Sequence, residues 1–216
     1  MTASRLLLCC ADPREAALLT AAGHGEIRVL GVGKAAAAAS LARALALAPD
    51  TTCVLLFGVC GAYPAPVEPP ALSVLDLCVV AESVYADEGA ATDDGFLDLD
   101  ALGLQPSGPF RADAVLGPRV AHGLGVPLVR AATVSTCAGT ARLSDAFAAR
   151  SRAHVETMES AACALACETA GVPFVEVRCV SNRTGPRADG GFRIREACER
   201  AQAAVRRILD EGWLGP

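Results

Sequence analysis

The hydrophobic positions of the chain fall into short runs separated by glycine, proline and acidic residues. Residues 6–10 are uninterruptedly apolar and end at Asp12 and Pro13, the pattern of a strand buried on both faces. Pro13 suits the first turn of a helix predicted over 13–22. A second strand is predicted over 27–32 and an alanine-rich helix over 34–48. The run 53–57 reads as a buried parallel strand. Pro64, Pro66, Pro69 and Pro70 then mark a loop, because proline cannot donate to a helix or a ladder. Further strands are predicted at 76–86, 128–135 and 174–181, and helices at 157–170 and 195–209. The last helix places Ala197, Ala201, Ala204, Val205 and Ile208 close to helical spacing. Glycine, aspartate and proline breaks leave 87–125 as loops with short elements. Strand–helix alternation predicts an α/β fold: one three-layer domain over 1–216, with a mixed, mostly parallel central sheet flanked by helices.

Composition narrows the class. A chain of 216 residues suits one α/β domain that can bury most of its apolar surface. Its 52% hydrophobic content is above the usual share, and alanine supplies much of it. No segment offers about twenty uninterrupted strongly apolar residues, so no membrane span is expected. The first residues lack a signal-peptide pattern, which makes the cytoplasm the expected location. The formal net charge of −5 argues against nucleic acid as a partner, since no basic stripe is present to neutralise phosphates. Ten cysteines occur without a C-x-x-C pair, mostly within apolar runs. They read as reduced core thiols, not zinc ligands or a disulfide framework.

Candidate chemistry gathers where strands end, the place where open α/β sheets bind ligands. Gly31-Val32-Gly33-Lys34 follows one strand and opens a helix, but its spacing is neither a P-loop nor a dinucleotide fingerprint. Gly58 and Gly61 follow the next strand; a tight turn and a ligand-facing backbone satisfy them equally well. Glu159 opens an otherwise alanine-rich helix. A first-turn acid is favoured by the helix dipole, yet a carboxylate in apolar surroundings needs partners. Glu15 lies just after the first strand, and the polar run from Ser181 to Arg187 closes the last. His24, His122 and His154 are scattered and form no recognisable triad with a serine or cysteine.

Taken in order, these pieces resemble the nucleoside phosphorylase and nucleosidase superfamily over nearly the whole chain. Gly31-Val32-Gly33-Lys34 is similar to its G-x-G-K segment. Phe57-Gly58-Val59-Cys60-Gly61 is similar to its G-x-A-G turn, with Cys60 in place of alanine. Leu75-Asp76-Leu77-Cys78-Val79 resembles its G-D-V-V strand, with Leu75 in place of glycine. Thr157-Met158-Glu159-Ser160-Ala161-Ala162 resembles its E-M-E-G-A-A helix start. Four features look like the futalosine hydrolase family within it. These are Ala86-Asp87-Glu88-Gly89, the run Thr133 to Thr140 (T-V-S-T-x-x-G-T), Asn182 after Ser181, and Gly185-Pro186-Arg187. Phe192 stands where that family is expected to carry tryptophan.

The resemblance implies hydrolysis of a purine N-glycosidic bond, with hypoxanthine released from futalosine. It implies no cofactor and no metal, a small-molecule nucleoside and water as partners, and assembly into a homo-oligomer. It assigns the ribose hydroxyls to Glu159, the sugar face to Met158, the attacking water to Glu15 and the base to Asn182. It extends substrate contact to Gly58, Gly61, Ser135 and Arg187. An amide at 182 can hydrogen-bond a purine but is a poor proton donor, so the donor to the leaving base stays open. The alternatives are another purine nucleosidase, of methylthioadenosine or aminofutalosine type, a phosphate-dependent phosphorylase, and a non-catalytic nucleoside-binding protein.

Overall fold

The computed structural model describes residues 5–64, 66–186 and 191–215. Ten strands and six α-helices are formed among them. The strands are β1 (Arg5–Cys10), β2 (Ile27–Val29), β3 (Thr51–Ala62), β4 (Leu77–Tyr85), β5 (Gly89–Thr92), β6 (Gly95–Asp98), β7 (Phe110–Arg111), β8 (Leu128–Thr133), β9 (Val155–Thr157) and β10 (Phe174–Arg183). The helices are α1 (Ala17–Ala21), α2 (Lys34–Leu47), α3 (Leu116–Leu124), α4 (Ala141–Ser151), α5 (Ser160–Ala170) and α6 (Ile194–Asp210). This is the expected mixed α/β fold with a helix-flanked central sheet.

β3 organises the sheet. Along its first half it alternates between two cores. Val54 and Leu56 join α2 and α5 on one face; Cys53, Leu55 and Phe57 join α1, α3 and α6 on the other. The apolar run therefore records burial on both sides, as the two-residue strand period requires. β1 lies parallel to β3 and β2 parallel to β1. Beyond them the sheet closes on itself. β3 pairs parallel with β10 and antiparallel with β9, β10 pairs antiparallel with β4, and β4–β8–β9 continue in parallel. Strands β3, β10, β4, β8 and β9 thus form a ring. Cys60, Cys78, Val80, Val129, Ala131, Val155 and Val180 cluster within it.

Closure explains where the elements differ from the sequence pattern. The glycine-rich stretch after Phe57 is not a turn: Gly58 and Gly61 lie in β3, in register with Arg178 and Asn182 of β10. Likewise 181–183 extends β10. The segment 155–157 is strand, so the helix expected over 157–170 begins at Ser160. Ala161 N–H is met there by the Thr133 hydroxyl at 2.9 Å, which satisfies a helix-end donor. The helix expected over 13–22 is a 3-10 turn, Pro13–Glu15, followed by α1. The strand over 27–32 stops at Val29, before Gly31 and Gly33, whose φ values are +92° and +95°. α3 holds Gly117, Pro118 and Gly123, residues that hide a helix from propensity, and packs Val120 and Ala121 into the core. α4 is announced only by its cap, the Thr140 side chain accepting from Leu143 N–H. All ten cysteines are thiols and nine are buried, in keeping with core packing.

Candidate active site

The ends of β1, β3, β9 and β10 open onto one cavity of about 250 Å³. Each acidic side chain in its wall is placed by local chain geometry. At the end of β1, Asp12 and Glu15 form a capping box around the 3-10 turn. Glu15 Oε2 accepts the N–H groups of Ala11 (2.9 Å) and Asp12 (3.1 Å), and Oε1 accepts that of Val59 (2.9 Å). Three main-chain donors therefore fix a carboxylate that is only 5% exposed. Burial raises its pKa, against the opposing pull of Arg178 and the N–H bonds.

Gly58 is what allows this placement. A Cβ there would lie 2.2 Å from Glu15 Oε1 and 3.0 Å from Arg178 Nη1. The glycine is a gap filled by a carboxylate, not a hinge. Gly61 plays the same part further along, since its Cβ would meet Thr184 Cγ2 at 2.9 Å and Asn182 Nδ2 at 3.4 Å.

Glu159 stands at the N-cap position of α5, with its side chain turned to other partners. Its Oε1 accepts Gly33 N–H at 3.0 Å. The glycine turn after β2 thus presents its main-chain donor to a carboxylate of the protein itself, as positive φ at Gly31 and Gly33 permits. Glu159 Oε2 lies 3.5 Å from Arg178 Nη2.

Arg178 is fully buried at the cavity floor. It donates from Nε to Glu176 Oε1 at 2.6 Å and from Nη1 to Val59 O at 3.1 Å. Burial alone would lower its pKa, but Glu176, Glu159 and Glu15 outweigh it and raise the value. Ser160 Oγ donates to the same Glu176 oxygen at 2.5 Å, while Glu176 Oε2 has no hydrogen-bond partner among the described residues. Three carboxylates thus share one guanidinium. Arg178 and Glu176 were missed from sequence. The available signal was an opposite-charge pair two residues apart in the apolar run 174–180, hence on one face of a buried strand.

The other wall is polar, with Glu156 and Asn182 beside Arg183. Asn182 Oδ1 accepts from Ser181 Oγ at 2.8 Å, and Nδ2 donates to Arg183 O at 2.9 Å. That bond uses one of the two amide hydrogens, and Asn182 lines the cavity. Glu156 of β9, also missed from sequence, stands opposite Gly61. Both its oxygens lie 3.1 Å from Ala138 N, and Tyr63 Oη is 3.5 Å from Oε2. Burial pushes its carboxyl up to about 7. Met158 lines the cavity between the two walls, with its sulfur 3.5 Å from Cys137 Sγ.

Of the residues singled out from sequence, Glu15, Gly61, Met158, Glu159 and Asn182 face this cavity. Gly58 does not line it; it stands behind Glu15. Ser135 is exposed and not part of the wall, because its N–H donates to Asp87 Oδ2 at 2.6 Å. Arg187 lies outside the described residues. The Ala86-Asp87-Glu88-Gly89 motif is a clamp: Lys34 Nζ bonds Asp87 Oδ1 at 2.5 Å and Glu88 Oε1 at 3.0 Å. It ties the end of β4 to the start of α2. No cluster suited to a metal ion occurs among the described residues.

A closed mixed sheet, with a buried glutamate after its first strand and a second at the start of α5, defines a class. The chain belongs to the phosphorylase superfamily, whose profile matches residues 15–211. Within that class it is 36% identical to the futalosine hydrolase of Thermus thermophilus, over 84% of this chain and 79% of that protein. Solved structures share the fold. An S-adenosylhomocysteine nucleosidase from Streptococcus pyogenes, bound to 5-methylthiotubericidin, superposes with a TM-score of 0.80 at 21% identity and covers 98% of each chain. A futalosine hydrolase mutant from Helicobacter pylori superposes with a TM-score of 0.79 at 17% identity, covering 96% of this chain and 99% of that one.

Proposed function

We propose that this protein hydrolyses the N-glycosidic bond of futalosine, releasing hypoxanthine and leaving dehypoxanthine futalosine, a step of menaquinone biosynthesis. The observation that carries the reading is the pair of buried glutamates, Glu15 and Glu159, held by main-chain donors on either side of Arg178. The identity to a futalosine hydrolase over most of both chains selects the substrate.

Cleavage builds positive charge on the sugar and negative charge on the departing purine. Groups that favour both charges more in the transition state than in the substrate accelerate the step. Glu159 accepts hydrogen bonds from the ribose hydroxyls and lies beside the developing cation. Met158 packs on the sugar face. Glu15, rigidly placed, orients the attacking water and in its carboxylate form takes the proton. Asn182 donates its remaining amide hydrogen to the purine.

Water is favoured over phosphate by the charge of the floor. Glu15, Glu159 and Glu176 set three carboxylates against one guanidinium, and a phosphate dianion brought there would face like charge. The enzyme is read as working in the cytoplasm, where its ten thiols stay reduced. It is read as an assembly of like chains, since Val32 at the cavity wall is 54% exposed and a neighbour would cover it. No helix among the described residues is long and apolar enough to cross a membrane.

The test is chromatographic identification of the base and sugar released from futalosine, aminofutalosine, methylthioadenosine and inosine, with and without phosphate. Hypoxanthine from futalosine, unaccelerated by phosphate, is the expected result. A sugar phosphate product, or preference for methylthioadenosine, would overturn the reading.

A further inference from the structure

The departing purine needs a proton source, and the amide of Asn182 has no acidic proton to give. The cavity wall holds one acid on the same side that no step has used. Glu156 sits on β9 directly across from Gly61. A Cβ on Gly61 would lie 3.4 Å from Asn182 Nδ2 and 3.8 Å from Glu156 Cβ. The amide and the acid therefore flank one glycine and border one part of the cavity, away from Arg178.

Its surroundings differ from those of the other two cavity glutamates. Glu15 accepts three main-chain N–H groups and feels Arg178; Glu159 takes Gly33 N–H and Arg178. Glu156 shares a single N–H, that of Ala138, between its two oxygens and takes a long contact from Tyr63. Among the described residues it has no ion pair. The titratable groups facing it are the Tyr63 hydroxyl at the end of β3 and Asp87 after β4, neither of them cationic. His154, two residues earlier, turns away: its ring meets Arg130 N and Pro69 O. A carboxyl so buried and so thinly partnered favours its neutral form.

Resting on the nucleosidase reading, we infer that Glu156 is the general acid for the leaving purine. As the C1′–N9 bond breaks, its electron pair passes to the purine. The Glu156 O–H proton moves to a ring nitrogen of the base, held in place by Asn182. Water bonds to C1′ and its proton goes to Glu15. Solvent returns that proton to Glu156 after release, so the sum is nucleoside plus water giving free base plus sugar. Two carboxyl groups then divide the chemistry, one required ionised and the other protonated. The first sets an acid limb of the pH–rate profile. The second sets an alkaline limb near pH 7, in line with where its burial places Glu156.

The test is the pH dependence of kcat for the whole enzyme and for Glu156→Gln and Glu156→Asp, with free hypoxanthine measured. The glutamine variant is expected to lose roughly 10²- to 10³-fold in kcat, on the scale of a general acid, with KM within about threefold. Its alkaline limb should vanish while the acid limb stays. Glu156→Asp should regain part of the rate together with an alkaline limb, which also answers the objection that the glutamine chain folds poorly. A Glu156→Gln enzyme with kcat near wild type, or with the alkaline limb intact, overturns the inference and leaves the nucleosidase reading standing. Failure of the wild-type protein to release a base from any purine nucleoside would sink both.

Discussion

The two ends of the cavity solve the burial of acid groups in opposite ways. At the floor, Glu15, Glu159 and Glu176 crowd around Arg178: main-chain donors hold Glu15 and Glu159, and the guanidinium and the Ser160 hydroxyl hold Glu176. At the far wall, Glu156 and Asn182 lie with no cation paired to them among the described residues, and burial pushes the Glu156 carboxyl up to about 7. In the proposed reading, carboxylates gathered around one guanidinium suit a sugar that becomes a cation, and a carboxyl that holds its proton to higher pH suits a base that becomes an anion. The lesson is that one fold gives like side chains different surroundings by how many donors it offers each.

The largest expected effects come from breaking the floor. Arg178→Met removes the one cation from a fully buried cluster and leaves its carboxylates uncompensated. A loss on the order of 3–5 kcal/mol is expected, the scale for orphaning buried partners, read as a lowered midpoint in urea unfolding. A variant as stable as wild type would mean that the carboxylates take up protons at little cost, and the picture of a charged floor would fail. Glu159→Gln tests the same end with less damage to the fold. It keeps the shape and a hydrogen-bonding oxygen but replaces with an amide the carboxylate that the proposal sets beside the sugar. A fall of roughly 10³-fold in kcat/KM for base release is expected, about 4 kcal/mol of transition-state stabilisation. A change in KM alone would reduce Glu159 to a ground-state ligand.

Next in size is a substitution that touches no polar group. Gly58→Ala introduces a Cβ that would stand 2.2 Å from Glu15 Oε1, so the carboxylate must move off its three donors. We expect roughly a hundredfold loss of kcat, since small misplacements of a positioned group cost about that much, with near-native circular dichroism. If Gly58→Ala kept full activity, Glu15 would not need its observed position, and its assignment to the water would lapse.

These residues also show what the sequence can and cannot disclose. The helices α2 and α6 and the strands β1, β4 and β10 follow from hydrophobic period and breaker residues, because burial on fixed faces writes itself into the order of apolar positions. That Glu15, Glu159 and Asn182 would line one cavity is legible because strand ends and helix starts are short-range features, and because the motifs around them resemble the family's. Ring closure is not legible. It depends on β3 and β10 running past the point where Gly58, Gly61 and Asn182 imply a turn, and only the neighbouring strand explains those glycines. For the same reason Glu156, one residue before the helix expected over 157–170, drew no reading of its own. Its character comes from Gly61, Ala138 and Tyr63, which lie 95, 18 and 93 residues away. Arg178 stayed hidden because a charge inside an apolar run gains its meaning from partners on other elements.

The smallest effect sharpens the far wall, and it concerns stability without catalysis. Burial raises the Glu156 pKa from 4.5 to about 7 in the folded chain. Between those values the native state holds a proton that the unfolded chain has released, so native stability falls as pH rises through this window and levels off above it. Glu156→Gln carries no titrating group there. Relative to wild type it should therefore gain stability from about pH 4.5 to pH 7 and hold a constant advantage beyond. The full shift sets a ceiling; after allowance for relaxation of the wall, on the order of 2 kcal/mol is expected. Parallel urea titrations at pH 5, 6, 7 and 8 read this directly. If the two stability curves stayed parallel from pH 5 to pH 8, Glu156 would already be ionised throughout, and the two ends of the cavity would differ in shape but not in charge.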